Sequence, residues 1–149
     1  LESLKDLLKS TINLRVRYMI KIYDSKYRGV CDVEDQDQIN FTSWFCYQYP
    51  KYATLYFHVV NESSMPVQGR VKAKKKGLKA GVSDIIILLK RGEYSGLIIE
   101  LKRKDKSKSP VRKEQKWFLD EVGQQKFFTA ICYGFEEAQK CVREYILIN

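Results

Sequence analysis

Two apolar runs constrain this chain more than anything else in it: residues 82–89, Val-Ser-Asp-Ile-Ile-Ile-Leu-Leu, and residues 96–102, Gly-Leu-Ile-Ile-Glu-Leu-Lys. Both are far too short to span a membrane, and continuous apolar runs of this length predict strands covered on both faces of a sheet. The turn at Arg91 and Gly92 makes them an antiparallel pair. Yet charges stand inside them, Asp84 in the first and Glu100 and Lys102 in the second. An unpaired charge in such surroundings is costly, so the three side chains need a reason.

Side chains alternate along a strand, which puts Glu100 and Lys102 on one face and turns Leu101 into the core. Asp84 and Glu100 are each eight residues from Gly92, so the hairpin sets them level. Two adjacent carboxylates repel, and a hard divalent cation is the usual remedy. Mg²⁺ takes octahedral oxygen ligands and keeps several waters. Asp84, Glu100 and the Leu101 backbone carbonyl are the candidate metal ligands, with water and phosphate oxygens in the remaining positions. Such a metal polarises the phosphate and lowers the pKa of the attacking water. Lys102, on the same face, is placed to orient or deprotonate that water and to offset charge growing on the phosphate. The chemistry expected is phosphodiester hydrolysis without a covalent intermediate. Glu-X-Lys alone is a weak signal that a solvated strand end would produce as readily. The matching aspartate on the paired strand and the apolar surroundings favour catalysis.

The remaining elements follow from periodicity and punctuation. Leu4, Leu7, Leu8, Ile12 and Leu14 recur at helical spacing in a segment running to about Tyr23, and the pattern turns to alternation over residues 16–22. Residues 27–32 read as a connection. Asp32 or Asp35 then caps a helix reaching about Tyr49, with Ile39, Phe41, Thr42, Phe45 and Cys46 as its buried stripe and Pro50 as its stop. Residues 53–60 predict a strand that ends at Asn61, Glu62 and Ser63, and the glycine- and lysine-rich residues 69–81 a loop or hairpin. A helix from Pro110 to about Val122 with Gly123 past its end, a strand at 127–133 and an amphipathic helix at 135–146 complete an α/β fold. Its central mixed sheet is flanked by helices. At 149 residues there is room for one ordinary domain.

Charge and cysteine usage narrow the partners. Lys and Arg total 27 against 18 Asp and Glu, a net charge of +9, which in so small a domain points to a polyanion. Lys72, Lys74, Lys75, Lys76 and Lys79 lead into Asp84, and Arg103, Lys104, Lys106, Lys108, Arg112, Lys113 and Lys116 follow Glu100. Clusters that bracket a carboxylate pair twice suit phosphate tracking, and neither carries a base-reading motif. Cys31, Cys46, Cys132 and Cys141 have no close spacing and only His58 to join them, so a zinc site is not expected and buried, reduced thiols are. No apolar run is long enough for a membrane span and no leader is evident, so the expected setting is intracellular.

Three blocks in order carry a resemblance: Lys79-Ala80-Gly81-Val82-Ser83-Asp84-Ile85-Ile86, then Ile98-Ile99-Glu100-Leu101-Lys102, then Ser109 with Gln115-Lys116-Trp117-Phe118-Leu119. Together they resemble the virus-type replication-repair nuclease (VRR-NUC) family of the PD-(D/E)XK superfamily. The resemblance implies a restriction-endonuclease-like core, Mg²⁺ or Mn²⁺ as cofactor, and Asp84, Glu100 and Lys102 as the catalytic set. It adds Gln115 on the following helix, close to the metal or the phosphate. It also adds Glu34, which with Gln38 resembles the family's first-helix pair, one turn apart on one face; helix-start acidity is the plain alternative. His58 matches a strand-end position, where packing or hydrogen bonding is the simpler role. Ser83 stands where the superfamily name puts proline. The resemblance divides the chain into an N-terminal helical extension, 1–32, and a nuclease domain, 33–149. It further implies branched DNA of the Holliday-junction kind as substrate, a homodimer, and a phage or mobile-element origin. A catalytically silent DNA-binding module and a ribonuclease or single-strand nuclease are the competing functions.

Overall fold

A computed structural model describes residues 3–25, 29–60 and 65–149, the side chains of residues 15–17 excepted. The expected starts at Leu1 and Tyr27 and the strand end at 61–63 lie outside the described residues. Strands β1 (Lys21–Tyr23), β2 (Tyr56–His58), β3 (Ile85–Ile87), β4 (Gly96–Lys102) and β5 (Phe127–Tyr133) form a mixed sheet in the order β1-β5-β4-β3-β2. The helices are α1 (Leu4–Arg17), α2 (Glu34–Gln48), α3 (Val67–Lys75), α4 (Lys113–Gln124) and α5 (Phe135–Ile146), with a 3-10 turn at Pro50–Leu55.

Alternation along β4 sorts the sheet into two faces. Leu97, Ile99 and Leu101 join Ile85, Ile87, Phe128, Ala130 and Cys132 under α2 and α5, which contribute Phe41, Phe45, Ala138, Val142 and Tyr145. On the opposite face Ile98 packs with Leu119 and Ile131 beneath α4. All seven residues of β4 are buried, as expected of a strand covered on both sides. Glu100 and Lys102 continue the row of Ile98, and so lie on the α4 face.

Several elements differ from the sequence expectation. Residues 69–81 are not a loop or hairpin throughout, because α3 occupies their first part; it buries no residue, so no apolar stripe announces it. The strand expected at 53–60 shortens to β2, since Pro50 opens a 3-10 turn instead of only ending α2. The run 82–89 is strand only at β3, and Asp84 sits just before it. Helix α4 begins at Lys113, beyond Pro110, and continues through Gly123. A side chain at Gly123 would put its Cβ 2.9 Å from the Tyr18 carbonyl oxygen, so this glycine serves close packing and ends nothing. In α2, Val33 precedes the first turn and neither Asp32 nor Asp35 caps it. Of its expected stripe, Phe41 and Phe45 are buried, Thr42 is half-buried, and Ile39 and Cys46 are exposed. Cys132 and Cys141 are buried free thiols, whereas Cys31 is half-buried and Cys46 exposed.

The alternating stretch after α1 resolves into β1, which runs parallel to β5 in the register Lys21↔Ala130, Ile22↔Ile131, Tyr23↔Cys132. Tyr23 points into the larger core and its hydroxyl donates to Glu144 Oε2 of α5 at 2.7 Å. The segment read as an N-terminal extension therefore supplies the sheet's edge strand.

Candidate active site

Asp84 is positioned from both sides. The β3–β4 register pairs Ile85 with Ile99, which sets Asp84 level with Glu100. Its Oδ2 accepts the Leu101 backbone N–H at 2.9 Å, and its carbonyl accepts both the Val59 N–H at 3.0 Å and the His58 Nδ1–H at 2.8 Å. His58 thus hydrogen-bonds to the turn that carries the aspartate. Upstream, Gly81 has φ +80°, and a Cβ there would stand 2.8 Å from the Glu114 backbone. Only glycine passes this close to the start of α4.

Glu100 has no solvent exposure and Lys102 is 5% exposed. Lys102 Nζ lies 2.9 Å from Glu100 Oε1. Gln115, in the first turn of α4, donates its Nε2–H to the same oxygen and accepts the Arg112 backbone N–H on its own Oε1 at 2.9 Å. It is a brace between the helix start and the carboxylate. Among the described residues Glu100 Oε2 and Ser83 Oγ, both buried, have no hydrogen-bond partner of good geometry, though the Ser83 hydroxyl is near enough to favour the charged form of Glu100.

Burial, and after it the charge of Asp84, pushes the Glu100 carboxyl up to about 8, against the opposing influence of Lys102. Burial also raises Asp84, offset in part by the Leu101 N–H and raised further by the charge of Glu34. At neutral pH the pair therefore tends to keep a proton, as crowded carboxylates do. Glu34, half-buried at the start of α2, accepts the Ser109 hydroxyl on Oε2 at 2.6 Å. Among the described residues no group of three or more His, Cys, Asp or Glu side chains converges as a ready metal cage.

The basic residues divide. Lys74 and Lys75 on α3, Lys76 and Lys79 after it, and Lys113 and Lys116 on α4 are exposed. Arg103 instead donates from Nε to the Asp32 carbonyl at 3.2 Å, and Lys104 pairs with Glu136 at 2.8 Å while its stem packs over Gly134. Lys106 pairs with Asp24 and lies over the Tyr133 ring at 4.8 Å. Part of the cluster after Glu100 is thus committed within the fold.

The model of the VRR-NUC domain matches residues 34–136, which is more than half of the chain and takes in Asp84, Glu100, Lys102 and Gln115. The chain belongs to the VRR-NUC domain family. A solved structure described as a VRR_NUC domain protein superposes on it with a TM-score of 0.68 at 25% identity, covering 83% of this chain and 93% of that one. Comparison with curated protein sequences gives no match. The mixed sheet flanked by helices is therefore the fold of a nuclease-type family, and that family suggests nucleic acid as the partner of this VRR-NUC domain. Ser109 and Ser83 are the polar residues around its carboxylates to which sequence reasoning gave no role. Ser109 was marked only by its place in the resembling block and by the Ser-Pro step ahead of the helix.

Proposed function

We propose that this VRR-NUC domain is a metal-dependent DNA endonuclease of the PD-(D/E)XK type, with Asp84, Glu100 and Lys102 as its catalytic set. The observation that carries the reading is Glu100 Oε2, a buried oxygen with no well-formed hydrogen bond among the described residues, set level with a second buried carboxylate. That donor set fits Mg²⁺ or Mn²⁺, held by Asp84, Glu100 and the Leu101 carbonyl. When bound, the cation supplies Lewis-acid polarisation of the phosphate and a more acidic water. Lys102 brings a positive charge to the same pocket, where it holds the water and neutralises charge on the scissile phosphate. Gln115 fixes the rotamer of Glu100, and Glu34 stands at the outer side of the site. Lys74, Lys75, Lys76 and Lys79 and, across the site, Lys113 and Lys116 track the phosphate backbone.

Branched DNA as substrate and a homodimer complete the proposal. On α1 the side chains of Leu4, Leu7, Leu8, Ile12 and Leu14 are each at least 50% exposed, a stripe of the kind that marks interaction surfaces. A two-fold pair joined through α1 would present two sites symmetrically to a junction. Sedimentation equilibrium tests this: the expected mass is that of a dimer, with Leu8→Glu shifting it to the monomer.

The decisive experiment is cleavage of a labelled four-way junction, a matched duplex and a single strand, with Mg²⁺, Mn²⁺ or EDTA, by wild type, Asp84→Ala and Lys102→Ala. Expected are metal-dependent cutting that both variants lose and paired symmetric nicks on the junction. Binding without cutting in either metal would make the domain a silent binding module, and preference for the single strand or for RNA would replace the branched substrate.

A further inference from the structure

The hydrogen bond between Ser109 and Glu34 joins residues 75 positions apart and belongs to no helix, strand or cap. Ser109 is only 8% exposed, so its hydroxyl is not a surface group that happens to find a carboxylate. Its direction is set locally. Before it, Asp105 closes a turn by accepting the Ser107 N–H at 3.0 Å and the Ser107 hydroxyl at 2.6 Å on Oδ1, and the Lys108 N–H at 3.0 Å on its carbonyl. After it comes Pro110, and the residue before a proline is held to extended backbone. Upstream the chain leaves β4 at Lys102, and downstream Gln115 reaches Glu100. One connection thus delivers contacts to two acidic side chains of the site.

Among the described residues Glu34 does not join Asp84 and Glu100 in a group of three carboxylates able to hold a metal directly. Its charge is nonetheless felt at Asp84. The Ser109 bond occupies Oε2, and among the described residues nothing hydrogen-bonds the other oxygen of Glu34. An acidic group at that remove, with one oxygen anchored, suits a hydrated cation, because Mg²⁺ retains waters that need acceptors of their own.

We propose that Ser109 is a positioning residue: by anchoring Oε2 it aims the other carboxylate oxygen of Glu34 at the water shell of a divalent cation held by Asp84 and Glu100. This rests on the metal site of the proposed function and extends it to a residue outside the catalytic set.

Metal binding to the intact protein tests it without reliance on cleavage. Mn²⁺ titration by calorimetry, with thermal unfolding in EDTA and in Mn²⁺, is to be run on wild type, Ser109→Ala, Ser109→Thr, Glu34→Gln and the double variant Ser109→Ala/Glu34→Gln. Loss of an outer partner of a metal site weakens affinity roughly ten- to a hundredfold. Ser109→Ala is expected near the lower end, about tenfold, with Ser109→Thr restoring affinity through its hydroxyl. The double variant is expected to be no weaker than Glu34→Gln alone. Wild-type affinity in Ser109→Ala, with or without a lower melting temperature in EDTA, overturns the proposal, and so does a Ser109→Thr as weak as Ser109→Ala. No metal binding by wild type would overturn the metal site itself. Binding by wild type that is weakened in Glu34→Gln but not in Ser109→Ala would sink the Ser109 role alone.

Discussion

Under α2 and α5 the sheet meets aromatic rings: Phe41 stacks on Phe45 at 6.0 Å, Phe45 leans on Tyr56 at 5.2 Å, and Tyr145 contacts Phe128 at 5.5 Å between centroids. Under α4 the buried apolar cluster is Ile98, Leu119 and Ile131, and the same rows also hold Thr129, Glu100 and Lys102. The two faces share β4, residue by residue in alternation. Burying a large apolar side chain stabilises by about 1.5–3 kcal/mol, whereas an unsatisfied buried polar group costs a similar amount or more. One face therefore holds the fold with a surplus, and the other spends part of it on groups a stable core would exclude. On the proposed function, chemistry is tolerated on the α4 face because stability is concentrated on the opposite one.

The sharpest way to break this comparison is to exchange the effects of two buried residues. Phe45→Ala is expected to destabilise by about 3–5 kcal/mol while leaving metal affinity intact in the folded fraction. Lys102→Met is expected to lower cleavage at least a hundredfold and to change denaturation midpoints far less. Urea unfolding and single-turnover cleavage of both variants check it. If Phe45→Ala abolishes metal binding in fully folded protein, the faces are not separable.

A smaller effect concerns pH. An unfolded chain ionises Glu100 near 4.5, but the folded protein keeps its proton until about 8. The folded state thus binds more protons across this window, so this carboxyl's contribution is fully present below about 4.5 and is lost as the pH rises through about 8. Metal-free protein is expected to lose about 1–3 kcal/mol of stability over that range, and Glu100→Gln to flatten the slope. Thermal unfolding in EDTA from pH 5 to 9 measures it. A metal-free wild type as stable at the upper end as at the lower would mean that the α4 face carries no such burden.

The smallest effect lies outside both faces. Lys75→Ala with Lys76→Ala removes two exposed charges beside the site, and the slope of log affinity against log salt is expected to fall by about 2, with no change in melting temperature. An unchanged slope would place the DNA elsewhere.

How far the sequence could be read follows from the same division. The juxtaposition of Asp84, Glu100 and Lys102 was legible because strand alternation and hairpin register are local rules, and the observed register agrees with the count from Gly92. Gln115 came only from resemblance, since nothing local shows that a glutamine in the first turn of α4 reaches back to β4. Asp37 drew no reading from the sequence. In the fold it is buried near the start of α5; burial raises its pKa, and the Phe135 backbone N–H offsets this in part. Lys104 and Lys106 read as open positive charge, but their acidic partners Glu136 and Asp24 are distant in sequence. Long-range pairing of polar groups leaves no period to read, and α3, with no buried side, leaves none either.

The three residues of β1 matter beyond their number. They lie along the outer side of β5, whose backbone donors and acceptors would otherwise form an open rim, and open rims recruit strands from other molecules. A shortened chain that starts at Glu34, where the family match begins, would uncover that rim along a strand as apolar as Phe127–Tyr133. With β1 in place the sheet ends instead on a strand of three residues opened by Lys21, too brief and too charged to template further growth. The segment ahead of the matched region thus covers the edge of β5 with a short strand.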